Sequence, residues 1–186
     1  MNSLVAPRQY TADDLLLIPD GHQFELLDGH LVERKMGAKT SAVTTRLLSR
    51  LGIRVDADQL GFLFGPEAGY QIFSDRPNRV RSADGSFIAR GRLPDDRVPD
   101  GHLRIVPDMM LESVSPNDLA HEVEAKIEEY LQAGLPLLWV IYPETHTIYV
   151  YRQDGSVRRL TGADDLTGED VIPGFSCRVE DLFRGF

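Results

Sequence analysis

The chain has 186 residues, of which 42% are hydrophobic and 26% charged, a composition that fits one soluble globular domain over 1–186. A net charge of -9 argues against bulk electrostatic binding to nucleic acid, although a local basic groove or a metal-neutralised acid site is compatible with it. The single cysteine, Cys177, excludes an internal disulfide. With no long apolar run and no secretory leader in MNSLVAPRQY, it points to the cytoplasm and away from a membrane.

In chain order, Thr11 is placed to cap a helix over 12–17, with Asp13 and Asp14 in its first turn and Pro19 and Gly21 beyond its end. Asp28-Gly29 between two apolar runs predicts a hairpin over 23–33 that carries Glu25, read from position alone as an outward-facing strand acid. Val43, Leu47 and Leu51 recur every four residues and predict one buried helix face over 40–51, with Arg46 and Arg50 off it. Short aromatic strands follow at 62–64 and 69–73. A further strand is expected over 79–88, with Asp84 inside it and a polar loop over 90–101 after it.

The run 108–113 is a short strand, mostly apolar with an acid at each end. Alternation puts Asp108, Met110, Glu112 and Val114 on one side. Two carboxylates on such a face must meet water, a basic side chain or a metal ion. Ser115 and Asn117 are candidate caps for a helix over 118–133, stopped by Gly134. At roughly 100° per residue, Lys126 falls at the edge of the apolar arc of Leu119, Val123 and Tyr130, where it can snorkel to solvent or reach the carboxylates. The uncharged run 137–142 predicts a strand covered on both faces, and 147–152 a β-branched and aromatic strand. A last strand is expected over 171–175 and a short helix over 179–183. No phosphate-binding glycine loop, nucleophile elbow or HExxH spacing is present.

In order and spacing, Phe24-Glu25-Leu26-Leu27-Asp28-Gly29, Gly69-Tyr70-Gln71-Ile72, the Asp84 strand, Pro107-Asp108, Glu112 to Asp118, the Lys126 helix and Trp139-Val140-Ile141 resemble the Uma-type restriction endonuclease domain family. That family is a branch of the PD-(D/E)XK superfamily. The resemblance implies an α/β (α+β) restriction-endonuclease-like core: a mixed central sheet flanked by helices, with an N-terminal β-hairpin. It also implies a magnesium- or manganese-dependent endonuclease acting on nucleic acid, DNA first, as a homodimer. The implied site has Asp84 and Glu112 as metal acids, Glu25 in support, Asp108 as a second acid of the focal strand, and Lys126 as the lysine that orients water. The superfamily's usual lysine position, two after the acid, holds Val114, and Ala83 stands where relatives often have proline. A different reading keeps the fold without the chemistry, as a dimeric binding or regulatory module. The two differ in one respect: a nuclease brings Asp84, Glu112 and Lys126 together in a cleft.

Overall fold

Thr11 opens the first helix as its sequence signals. Its hydroxyl accepts from the Asp14 amide at 3.1 Å, and the Asp14 carboxylate accepts from the Thr11 amide at 2.8 Å, closing a capping box on α1 (Ala12–Leu17). The computed structural model describes residues 8–186; most of the stretch read for a leader, 1–7, lies outside them. Asp28 and Gly29, with φ of 51° and 88°, turn the hairpin of β1 (Phe24–Leu27) and β2 (His30–Glu33).

The next helix, α2 (Ala38–Ala57), runs well past the expected 40–51 because Val55 continues the buried stripe of Val43, Leu47 and Leu51. After β3 (Gly61–Phe64) and β4 (Gly69–Tyr70), the strand expected over 79–88 divides in two. β5 (Arg81–Ser82) pairs with β4, and β6 (Gly85–Ala89) pairs with β3 and β7 (Met109–Ser113). Ala83 and Asp84 make the bend between them. Neither expected cap, Ser115 or Asn117, starts α3 (Ala120–Gln132). The Ser115 amide instead donates to the Asp118 carboxylate at 2.7 Å, and Leu119 precedes the helix without a side-chain cap. Gly134 ends it, with φ of 90°.

The chain continues as β8 (Leu137–Tyr142), β9 (Thr147–Arg152), β10 (Val157–Leu160), β11 (Asp165–Thr167), β12 (Ser176–Arg178) and α4 (Val179–Phe183). The strand expected over 171–175 is a turn that drops Ile172 and Phe175 into the core. β10 escaped the sequence reading because an exposed edge strand with two arginines in four residues carries little apolar signal.

The main sheet has the order β10-β9-β8-β7-β6-β3. β7 and β8 are its parallel pair, joined by α3, and the other neighbours are antiparallel. Alternation along β7 sends Met109 and Leu111 into a core with α2 and α4. Met110 goes into a second core under α3, with Ile127 and Tyr130. Glu112 shares the parity of Met110 and therefore points to the α3 side, at the carboxyl end of β7. Among the described residues no helix is long and apolar enough to cross a membrane.

Candidate active site

Three elements meet at that end of β7. β6 runs antiparallel to β7, so the bend before Gly85 lies beside Glu112. There the Asp84 amide donates to the Leu111 carbonyl at 3.0 Å, and the Asp84 carboxylate accepts from the Ser113 amide at 2.7 Å. The hairpin joins β5 through a bridge between Leu26 and Val80, which turns Glu25 inward. Glu25 is therefore not the outward-facing acid expected from its position alone. It accepts from the Ser82 amide at 2.9 Å and from Arg81 at 2.8 Å.

From the other side α3 delivers Lys126. Its Nζ reaches Glu112 at 3.0 Å, Glu25 at 3.1 Å and the Ser82 carbonyl at 3.1 Å, an acceptor for each of its three protons. Asp84, Glu112 and Glu25 keep only 11%, 13% and 8% of their side-chain surface exposed, and Lys126 keeps 19%. All four line one cleft of about 670 Å³. The structure thus brings together Asp84, Glu112, Lys126 and Glu25.

Asp108 is a correction. It sits at the far end of β7, four residues from Glu112 and so about 13 Å along the strand. There it accepts from the Ala89 amide at 2.8 Å and pairs with Arg92 at 2.7 Å. Alternation placed it on the correct face but could not show that an arginine already satisfies it, and it does not line the cleft.

Several site residues were missed by the sequence reading. Tyr130, read only as core, donates its hydroxyl to Glu112 at 2.9 Å. Arg34, just after β2, reaches Asp84 at 3.3 Å and also donates to the Pro66 carbonyl. Arg79 and Arg81, two apart on the buried stretch that leads into β5, both bind Glu129 of α3, and Arg79 also pairs with Asp28 at 2.5 Å. That spacing is a usable signal, since two arginines on one buried face require acids opposite them. Nothing local in the sequence marks Arg34.

The charges do not balance evenly. Burial raises the Glu112 carboxyl, Lys126 opposes, and Asp84 and Glu25 add to the rise, leaving it at about 7. Burial also raises Asp84, against the pull of Lys126, the Ser113 amide and Arg34. For Glu25 burial is outweighed by Lys126, Arg81 and the Ser82 amide, which bring it down to about 2. Burial alone would lower Lys126, but the three carboxylates hold it firmly charged.

A stability test follows from these directions. Glu112 holds its proton more tightly folded than unfolded, so its contribution is full below the ordinary value of 4.5 and is lost as pH rises to about 7. Glu25 does the reverse: its contribution is present above 4.5 and is lost as pH falls toward 2. Glu112→Gln is therefore expected to melt above wild type at pH 8, by on the order of 1–3 kcal/mol, and close to it near pH 4. Scanning calorimetry at both pH values checks this. A variant less stable than wild type at pH 8 would contradict the assignment.

Residues 11–180 match the model of the Uma2 family, described as "Putative restriction endonuclease". The chain belongs to the Uma2 family. Among solved structures, the Uma2-family chain is similar to "a putative nuclease belonging to DUF820" from Anabaena variabilis. The TM-score is 0.77 and the identity 22%, over 94% of this chain and 97% of that one. At that identity the likeness shows a shared fold, here a mixed central sheet flanked by helices, the architecture expected from the sequence. No curated protein matches the Uma2-family chain.

Proposed function

We propose that the protein is a divalent-metal-dependent nuclease that hydrolyses phosphodiester bonds of nucleic acid, DNA first, with magnesium or manganese held by Asp84 and Glu112. The observation that carries this reading is the recessed pair of carboxylates, Asp84 in the bend before β6 and Glu112 on the neighbouring β7, with one lysine between Glu112 and a third acid. Among the described residues no three acid, histidine or cysteine side chains form a ready-made metal cage. Magnesium needs none, because it binds through one or two carboxylates and keeps waters and substrate oxygens as its other ligands. The donor set fits: both groups are hard oxygens, and one Asp84 oxygen has only a 3.3 Å contact with Arg34. Burial raises both acids above their ordinary values, so a bound cation would favour their charged forms.

A bound ion of this kind supplies an activated water and offsets charge on the phosphate and leaving oxygen. The chain's own groups set the frame. Tyr130 fixes one Glu112 oxygen, and the Ser113 amide fixes one oxygen of Asp84. Lys126 holds Glu112 and Glu25 apart from mutual repulsion. If Lys126 turns one proton to a water, Glu25 keeps Arg81 and the Ser82 amide as partners, so this contact is the one that can be exchanged. In hydrolysis the water oxygen bonds to phosphorus, one ester P–O bond breaks, and the departing oxygen is protonated.

The test is incubation of labelled single- and double-stranded DNA and RNA with the protein in magnesium, in manganese and in chelator. Cleavage that needs the metal is expected. Cleavage unaffected by chelator, or no cleavage of any substrate, would count against the reading.

A further inference from the structure

A second cavity, of about 620 Å³, lies beside the acid cleft and plays no part in the chemistry above. His22, Pro66 and Glu67 line both spaces and form their common wall. Arg34 ties that wall to the site, since its guanidinium binds Asp84 on one side and the Pro66 carbonyl on the other. The second cavity therefore begins one guanidinium's width from a metal acid. Its lining differs from that of the cleft: Phe24, Phe64 and His102 line it together with half-exposed Leu16, and it holds no cluster of paired carboxylates. His102 is held by the Ala12 carbonyl at 2.9 Å, so α1 fixes one of the rings.

Charge narrows the class of ligand. Among the residues lining the acid cleft, acids outnumber lysines and arginines by seven to four. A duplex presents one charge per ~1.7 Å and needs a cationic track along both strands. This cleft has no such track, and the three acids clustered in it, Glu25, Asp84 and Glu112, are recessed below the surface. A single strand can thread one phosphate to the acids and obtain its grip from bases stacked on aromatic rings instead.

Building on the nuclease reading, we propose that the cavity lined by Phe24, Phe64 and His102 receives an unpaired nucleobase next to the phosphate at Asp84 and Glu112. The substrate class is then single-stranded or locally unpaired nucleic acid. Arg34, bridging the two spaces, lies where the connecting backbone passes.

The experiment measures anisotropy of a short fluorescein-labelled single-stranded oligonucleotide and of its matched duplex. Calcium replaces magnesium so that binding is read without cleavage. Wild type, Phe64→Ala and His22→Ala are compared, with cleavage in magnesium or manganese followed in parallel. His22 is exposed and outside the acid cluster, so its variant keeps the fold even if Phe64→Ala does not. The single strand is expected to bind about tenfold or more tighter than the duplex, and Phe64→Ala to lose about tenfold of that affinity. A smaller loss in the same direction is expected for His22→Ala. Equal or tighter binding of duplex, no binding of either, or unchanged affinity in both folded variants would overturn the inference. Single-strand preference that depends on these residues, without cleavage in either metal, would uphold it while removing the nuclease reading.

Discussion

Asp84→Asn and Glu112→Gln are each expected to lower the proposed metal-dependent cleavage by about 10³-fold or more, while both proteins remain folded. The size follows from the number of ligands available. Where two carboxylates supply the protein's share of the coordination, losing one forfeits several kcal/mol of transition-state stabilisation, and each ~1.4 kcal/mol is tenfold in rate. The substitutions preserve shape, and the Ser113 amide and the Tyr130 hydroxyl keep an oxygen to donate to. Circular dichroism melts run beside single-turnover cleavage separate chemistry from folding. Asp108→Asn serves as the control, because its strand-end pairing with Arg92 lies away from the cleft; it is expected to leave the rate unchanged. Activity within tenfold of wild type in either site variant would remove that acid from the metal set.

The second large effect is on stability. Lys126→Met leaves Glu112 and Glu25 buried without their shared cation, and breaking a buried ion pair from one side costs about 3–5 kcal/mol. The loss depends on pH with a definite sign. Without Lys126 both carboxyls rise, so they are relieved by taking up protons as pH falls. Urea denaturation is therefore expected to show the full deficit at pH 8 and a much smaller one at pH 5. Arg81 and the Ser82 amide keep Glu25 partly paired, which sets the loss nearer the lower figure. A deficit that is equal at the two pH values would show that packing of the lysine stem, rather than its charge, is what matters.

The elements around the site were legible where one periodicity dominated. Alternation through 108–113 gave the correct face to Glu112. The helical arc of Leu119, Val123 and Tyr130 placed Lys126 at the edge from which it meets that acid. The hairpin was readable from Asp28-Gly29, but the direction of Glu25 was not. It depends on the bridge from Leu26 to Val80, a contact across more than fifty residues that no local pattern encodes. The split at Ala83-Asp84 was hidden for a related reason. Arg81 and Phe87 look like one continuous strand, yet β5 and β6 serve different sheets, and the bend between them is what aims Asp84 at the Ser113 amide. Asp108 shows the limit of reading by face alone, because strand position along the sheet separates it from Glu112 as effectively as the opposite face would. Tyr130 was correctly placed in the core, and its hydroxyl became visible as a site group only once Glu112 was seen above it.

Calorimetric titration of magnesium and manganese into wild type and Glu112→Ala at pH 7, repeated in buffers of different ionisation enthalpy, tests the metal assignment most directly. Glu112 sits near its own midpoint at that pH, so an ion that binds there must displace part of a proton. The expected result is saturable binding by wild type, with heats that vary with the buffer because protons are released, and no binding by Glu112→Ala. Equal binding by both proteins, or no binding by wild type even with an oligonucleotide present, would contradict a metal centre at Asp84 and Glu112.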